Sequence, residues 1–369
     1  MTALPLDSPD PHTIPTRWWH QLDDGRVQCD VCPRACKLRD GQRGTCFVRA
    51  RQGDGIVLTS YGRSSGFCVD PIEKKPLDHF LPGSSVLSFG TAGCNLACRF
   101  CQNWDISKSK EVDTLAHSAS PDAIAEAASE LGCRSVAFTY NDPTVFLEYA
   151  IDTADACHER GLRAVAVTAG YICPGPRAEL FAHLDAANVD LKGFTEDFYR
   201  HTCEGHLHAV LDTLEYLAGT DVWFELTTLL IPGANDSDEE LDAMTRWVVE
   251  HLGPDVPMHF TAFHPDYRML DTPRTPRATL RRARRIAIGN GVRYAYTGNV
   301  SDPDGQTTWC PRCGAPAIPR DGYEVSGGGI DDRGGCRSCG EVIPGVYDGP
   351  VGEWGARRRP VAIRPAGER

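Results

Sequence analysis

The strongest constraint in this chain is an alternation that begins at Ser85. Six short runs rich in apolar and β-branched residues recur along it: "SVLSFG" (85–90), "SVAFTY" (135–140), "RAVAVT" (163–168), "NVDLK" (188–192), "VWFELTTLL" (222–230) and "MHFTAF" (258–263). Each of the last five is followed by a stretch with helical spacing, and the first leads through a cysteine loop into "SPDAIAEAASELG" (120–132). There Ser120 suits an N-cap, Pro121 suits the first turn, and Gly132 ends the pattern. Parallel strands can be joined only by crossovers, so this order dictates an α/β fold with a parallel sheet. The sheet is either open and doubly wound or curled into a full or partial barrel. In the last helix, within "TPRATLRRARRIAIGNG" (275–291), spacing puts Leu280, Ala283 and Ala287 on the inner face and leaves the arginines to solvent.

Folds of this kind carry their functional side chains at the C-terminal ends of the strands. The cysteine loop lies at that rim, together with "TYNDP" (139–143), "TAGY" (168–171), "DLKGF" (190–194), "IPGAND" (231–236) and "FHPDY" (263–267). Asp190 and Lys192, two apart, face the same side of their strand, either as a substrate or cofactor contact or as a buried ion pair. His79 and His264 are read as satisfying local hydrogen bonds.

A length of 369 residues with 41% apolar content can bury a full core beside smaller modules. No apolar run reaches membrane-spanning length, and the first residues show no secretory pattern, so no membrane association and a cytoplasmic location are expected. The net charge of −12 argues against a global nucleic-acid surface but leaves a local basic patch open. In a reducing compartment, 16 cysteines point to metals or catalysis, not disulfides. Eleven fall into three sets; Cys68, Cys133, Cys157, Cys173 and Cys203 stand alone. In "GTAGCNLACRFCQNWDIS" (90–107), Cys94, Cys98 and Cys101 make only three ligands. Structural zinc and common iron–sulfur clusters take four, so the set implies an open coordination position or a zinc site completed by histidine.

"CNLACRFC" resembles the cysteine signature of the radical S-adenosylmethionine (SAM) superfamily, with Phe100 before the third cysteine. "CDVCPRACKLRDGQRGTCFVR", "AFTYNDPTVFLEYA" and "NVDLKGF" extend the likeness, over about residues 29–345, to the radical SAM enzyme of the AmmeMemoRadiSam system, related to pyruvate formate-lyase activating enzymes. The resemblance implies a partial (β/α)6 TIM-like barrel in which Cys94, Cys98 and Cys101 ligate a [4Fe-4S] cluster whose fourth iron takes SAM. It implies Thr139, Tyr140 and Asn141 near the SAM amino group and Thr168 near its ribose, with Asp190 and Lys192 also cofactor-facing. Asp142 stands where the family loop has glutamate, and Ala169 where it has asparagine, so Asp142 has a shorter reach to SAM and Ala169 has no side-chain role. It further implies an electron donor such as flavodoxin or ferredoxin, and Memo-like and AMMECR-domain proteins as partners.

Near the C-terminus, Cys310, Cys313, Cys336 and Cys339 form two CxxC knuckles of zinc-ribbon type, for which zinc is the first expectation and iron the second. Cys29, Cys32, Cys36 and Cys46 are less regularly spaced, and suit zinc first, an iron–sulfur cluster second, or packed free thiols. The chain thus divides into a flexible start (1–25), a cysteine-rich segment (26–80), the barrel (81–302), the zinc-ribbon-like module (303–347) and a flexible tail (348–369). Reductive SAM cleavage and hydrogen abstraction from an unidentified substrate is the functional reading. Its rivals are activation of a partner glycyl radical enzyme and a non-enzymatic zinc scaffold.

Overall fold

The computed structural model describes residues 10–108, 115 and 117–363. Its centre is a nine-stranded sheet of β1 (Gly66–Pro71), β2 (Ser85–Gly90), β3 (Ser135–Phe138), β4 (Arg163–Thr168), β5 (Ala186–Asp190), β6 (Trp223–Leu230), β7 (Met258–Ala262), β8 (Ala295–Gly298) and β9 (Arg359–Val361). The spatial order is β8-β7-β6-β5-β4-β3-β2-β1-β9. From β2 to β8 every pairing is parallel, while β1 and β9 add antiparallel at the far edge. Val167, Asp190, Thr227, Leu229, His259, Thr261 and Tyr296 all face one cavity of about 920 Å³. Strands this far apart in the sheet can share a cavity only if the sheet curls around it, which gives the partial TIM-like barrel.

The crossovers are α1 (Pro121–Glu130), α2 (Leu147–His158), α3 (Pro174–Phe181), α4 (Leu207–Ala218), α5 (Asp238–His251) and α6 (Arg277–Gly289). The Ser120 hydroxyl accepts from the amide of Ala123, and Ser237 caps α5 in the same way with Asp238, Glu239 and Glu240 in the first turn. These side chains satisfy amides that the helix leaves without partners and favour its positive end. Leu280, Ala283 and Ala287 are the buried residues of α6.

The structure extends or corrects the sequence expectations in several places. All six expected strands are present, and β8, which follows α6, adds a seventh parallel strand. Residues 10–25 are not a flexible start: Ile14–Pro15 pairs with Gly55–Leu58, and Trp19–Gln21 pairs with Val27–Cys29. Residues 348–363 are not a flexible tail, because β9 pairs with β1 and Trp354 donates its amide to the Gly83 carbonyl. Residues 1–9 and 364–369 of those two segments lie outside the described residues. The C-terminal module shares its core with the barrel, since Tyr294 and Tyr296 pack with Ala317, Ile318, Ile330 and Ile343. Cys68, one of the cysteines that stand alone in the sequence, is buried in β1.

Candidate active site at the cysteine rim

The loop after β2 carries Cys94, Cys98 and Cys101 along the wall of the cavity. Its path is set by three braces. Asn141 donates to the hydroxyl of Thr91 and to the carbonyls of Ala92 (3.1 Å) and Gly93 (2.9 Å), and its own carbonyl accepts the Thr91 amide (2.9 Å). From the β5–α4 connection, the carbonyls of Cys203 and Thr202 accept the amides of Ala97 and Arg99. From the N-terminal segment, the Cys46 carbonyl presses on Gly93, where φ is +80° and an added Cβ would lie 1.8 Å from that oxygen, so only glycine fits.

The electrostatics of the three thiols differ. A hydrogen bond with the buried Cys203 lowers the Cys98 thiol against the opposing effect of burial, with help from Lys192 and Lys108. Burial pushes the Cys94 thiol up to about 12. The Cys101 sulfur lies 3.0 Å from the Ser107 hydroxyl. Lys192 pairs with Asp190 at 2.8 Å; burial opposes its charge, but the Asp190 carboxylate and the neighbouring Cys98 and Cys203 raise its pKa, leaving a held cation beside the cysteines.

Thr139, Tyr140, Asn141, Asp142, Thr168, Asp190 and Lys192 all line the cavity. Several have side chains already engaged. The Asn141 amide is spent on the cysteine loop. Asp142 accepts from the Thr168 hydroxyl (3.0 Å) and from the amides of Thr144 (3.0 Å) and Ala169 (2.8 Å), tying the ends of β3 and β4 together. Tyr140 adopts φ +70° and donates its hydroxyl to Asp70 (3.0 Å), while Lys75 sits 5.2 Å from its ring centre. Asp70 in turn takes Lys75 and Lys74, whose charges outweigh burial and hold its carboxyl well below the usual range. Burial brings Lys75 down to about 8 and raises Glu73 to about 7.

The opposite wall comes from the C-terminal module and the segment after it: Gln306, Arg320, Gly322, Tyr323 and Arg358 line the same cavity. Sequence reasoning missed this wall, because Tyr323 and Arg358 belong to two-residue strands and connections with no periodicity. It also set aside Cys203, whose approach to Cys98 depends on a π-helical turn over Tyr199–Cys203 that no local signal announced. His264 faces the cavity and lies 2.9 Å from the Gln102 amide, whereas His79 is buried between Tyr296 and the Pro344 carbonyl.

The cysteine sets differ in spacing. Cys310, Cys313, Cys336 and Cys339 bring their sulfurs within 4.8 Å of one another, with Cys310–Cys339 at 3.6 Å and Cys313–Cys336 at 3.8 Å. That is a site for one ion, since metal–sulfur bonds of about 2.3 Å in a tetrahedron put sulfurs about 3.8 Å apart. Among the described residues the only other such group is Glu196, His206 and His208. The Cys94, Cys98 and Cys101 sulfurs are therefore more widely spread, which fits a cluster whose cysteines each bind a different iron.

A parallel, curled sheet with three cysteines at the C-terminal rim of a large cavity defines a class of enzymes that hold a cluster and a small cosubstrate together. Residues 89–245 match the Radical SAM superfamily. A protein of Methanocaldococcus jannaschii described as "Uncharacterized protein MJ0808" is 38% identical over 327 residues, covering 88% of this chain and 97% of its own. Among solved structures, the chain is similar to a domain of pyruvate-formate lyase-activating enzyme from Bacteroides vulgatus (16% identity, TM-score 0.41, 45% of this chain and 99% of that one). It is also similar to Streptococcus suis SuiB (13%, TM-score 0.47, 62% and 52%) and to Escherichia coli QueE (13%, TM-score 0.36, 58% and 85%). The chain belongs to the radical SAM superfamily. It is an enzyme of that superfamily, which overturns the scaffold reading and implies SAM and a [4Fe-4S] cluster as its cofactors. No helix among the described residues is long and apolar enough to cross a membrane.

Proposed function

We propose that the protein cleaves SAM reductively and directs the resulting radical at a small molecule held in the barrel. The observation that carries this reading is the incomplete cysteine triad on the wall of a cavity that the chain's own C-terminal module closes from the side. When bound at Cys94, Cys98 and Cys101, the cluster supplies the electron that splits SAM into methionine and a 5′-deoxyadenosyl radical, which takes a hydrogen atom from the substrate. The protein's part is to orient, to hold charge and to exclude water. Asn141 fixes the loop, and the Thr139–Tyr140 backbone, Thr168 and the Asp190–Lys192 pair, which line the same cavity, would hold SAM, with Asp142 acting through Thr168. Lys192 balances the negative charge of the cysteine sulfurs.

Arg320, Tyr323 and Arg358 line the cavity and add polar side chains to it, which supports a small polar molecule over the glycine of a partner enzyme. The C-terminal quartet holds zinc in a zinc ribbon, on the strength of its sulfur spacing. A flavodoxin or ferredoxin is the donor class, the compartment is the cytoplasm, and Memo-like and AMMECR-domain proteins are the partners that the motif set suggests. The test is anaerobic: the protein reconstituted with iron and sulfide is given dithionite and SAM, and 5′-deoxyadenosine is measured. Product from the wild type and none from Cys94→Ala/Cys98→Ala/Cys101→Ala supports the reading. No product from an iron-loaded wild type removes it, and an organic radical formed on an added glycyl radical enzyme would favour the activase instead.

A further inference from the structure

The remaining quartet lies outside the superfamily match at residues 89–245. Cys29, Cys32, Cys36 and Cys46 come from separate turns, yet all four line one hollow in the N-terminal segment. The pairing of Val27–Cys29 with Lys37–Leu38 brings the Cys29 amide to the Cys36 carbonyl at 2.9 Å. Cys32 precedes a tight turn in which Ala35 takes φ +44°, and Cys46 precedes Phe47 at φ +70°. Two non-glycine residues held in the left-handed region within such a short segment mark backbone bent for a purpose.

What the bends accomplish is visible at the sulfurs. The amide and the hydroxyl of Thr45 both lie 3.5 Å from the Cys36 sulfur. A backbone N–H directed at a cysteine sulfur stabilises a thiolate bound to metal, because the amide draws charge from the sulfur. Buried Arg49, paired with Glu148 at 2.6 Å, adds a fixed positive charge near Cys29 and Cys46.

The spacing chooses the metal. No three of these four sulfurs lie within 4.8 Å of one another, in contrast to the C-terminal quartet of the same chain. The N-terminal quartet shares the wider spread of Cys94, Cys98 and Cys101. The geometry points to a second iron–sulfur cluster, of [4Fe-4S] type, ligated by Cys29, Cys32, Cys36 and Cys46, in place of the zinc that the sequence favoured. The hollow also borders Asn95 and Thr144, and Arg34 donates to the Asn95 carbonyl at 2.8 Å, so the two cysteine sets share a wall.

Iron, sulfide and zinc are counted after anaerobic reconstitution of the full chain and of its Cys94→Ala/Cys98→Ala/Cys101→Ala variant. The expected result is about eight irons in the wild type and about four in the variant, with a matching sulfide count, since each [4Fe-4S] cluster brings about four. The variant should still show a cluster signal by electron paramagnetic resonance after dithionite. About one zinc per chain should remain in both. A variant free of iron overturns the proposal, whether it carries about two zincs or a single one. Because the variant lacks the rim cysteines, this readout is independent of whether the wild type cleaves SAM. A second variant, Cys36→Ser, changes one half-buried ligand and should lower iron in the otherwise intact chain without touching zinc.

Discussion

Replacing Asn141 with alanine separates two roles that one residue could play at this rim. The side chain makes four hydrogen bonds to residues 91–93, all buried. Each is worth about 1 kcal/mol net, and loss of the donor leaves the Ala92 and Gly93 carbonyls without that partner, so the loop loses about 2–4 kcal/mol of local stability. That is enough to convert a single loop geometry into several, because about 1.4 kcal/mol is a tenfold change in population. The expected outcome in Asn141→Ala is lower iron occupancy after reconstitution and faster iron loss to a chelator, with a small fall in global melting temperature. SAM affinity should fall only in proportion to the iron lost. If iron loading and retention match the wild type while SAM binding disappears, Asn141 is a SAM ligand, and the bracing argument is wrong.

Gly93→Ala should be more severe, because the added carbon meets the Cys46 carbonyl at 1.8 Å and φ is +80°; low soluble yield or absent iron is expected, and a normally loaded, stable variant would show that the N-terminal segment can withdraw at no cost. Glu73 is buried with a carboxyl raised to about 7. Folding thus favours its protonated form, and stability is lost as pH rises from about 4.5 through about 7, by up to about 3 kcal/mol. Glu73→Gln should flatten the unfolding free energy across that window, and an unchanged slope in urea titrations would refute the assignment. Cys313→Ser should release the C-terminal metal and expose the Tyr294–Ile343 core to protease while Ile124 and Leu214 stay protected; uniform protection would deny the module a metal-dependent fold.

The parallel strands were legible because each pairs an apolar run with a helical period, and those two signals rarely coincide by chance. β8 escaped because it has four residues and leads into the module without a crossover helix of comparable length. The N-terminal sheets and β9 escaped for a related reason: strands of two or three residues carry no alternation to detect. At the site, the three rim cysteines announced themselves by spacing. The jobs of Asn141 and Asp142 did not, since their partners at Thr91–Gly93 and Thr168–Ala169 are set by how β2, β3 and β4 line up. Asp190 and Lys192 were placed two apart on a strand, yet β5 ends at Asp190, and the ion pair forms from strand end to loop.

Between β8 and β9 the chain leaves one edge of the sheet, winds through the four-sulfur knuckles, lends Arg320, Tyr323 and Arg358 to the cavity, and returns to the other edge. The piece that walls the chamber is therefore also the piece whose four cysteines are spaced for one ion, and its fold would depend on that ion once bound there. A cell short of that metal would make a barrel with a complete rim and a missing side, in which water could reach a radical intended for substrate. Metal supply would then govern the fidelity of the reaction before it governed the rate.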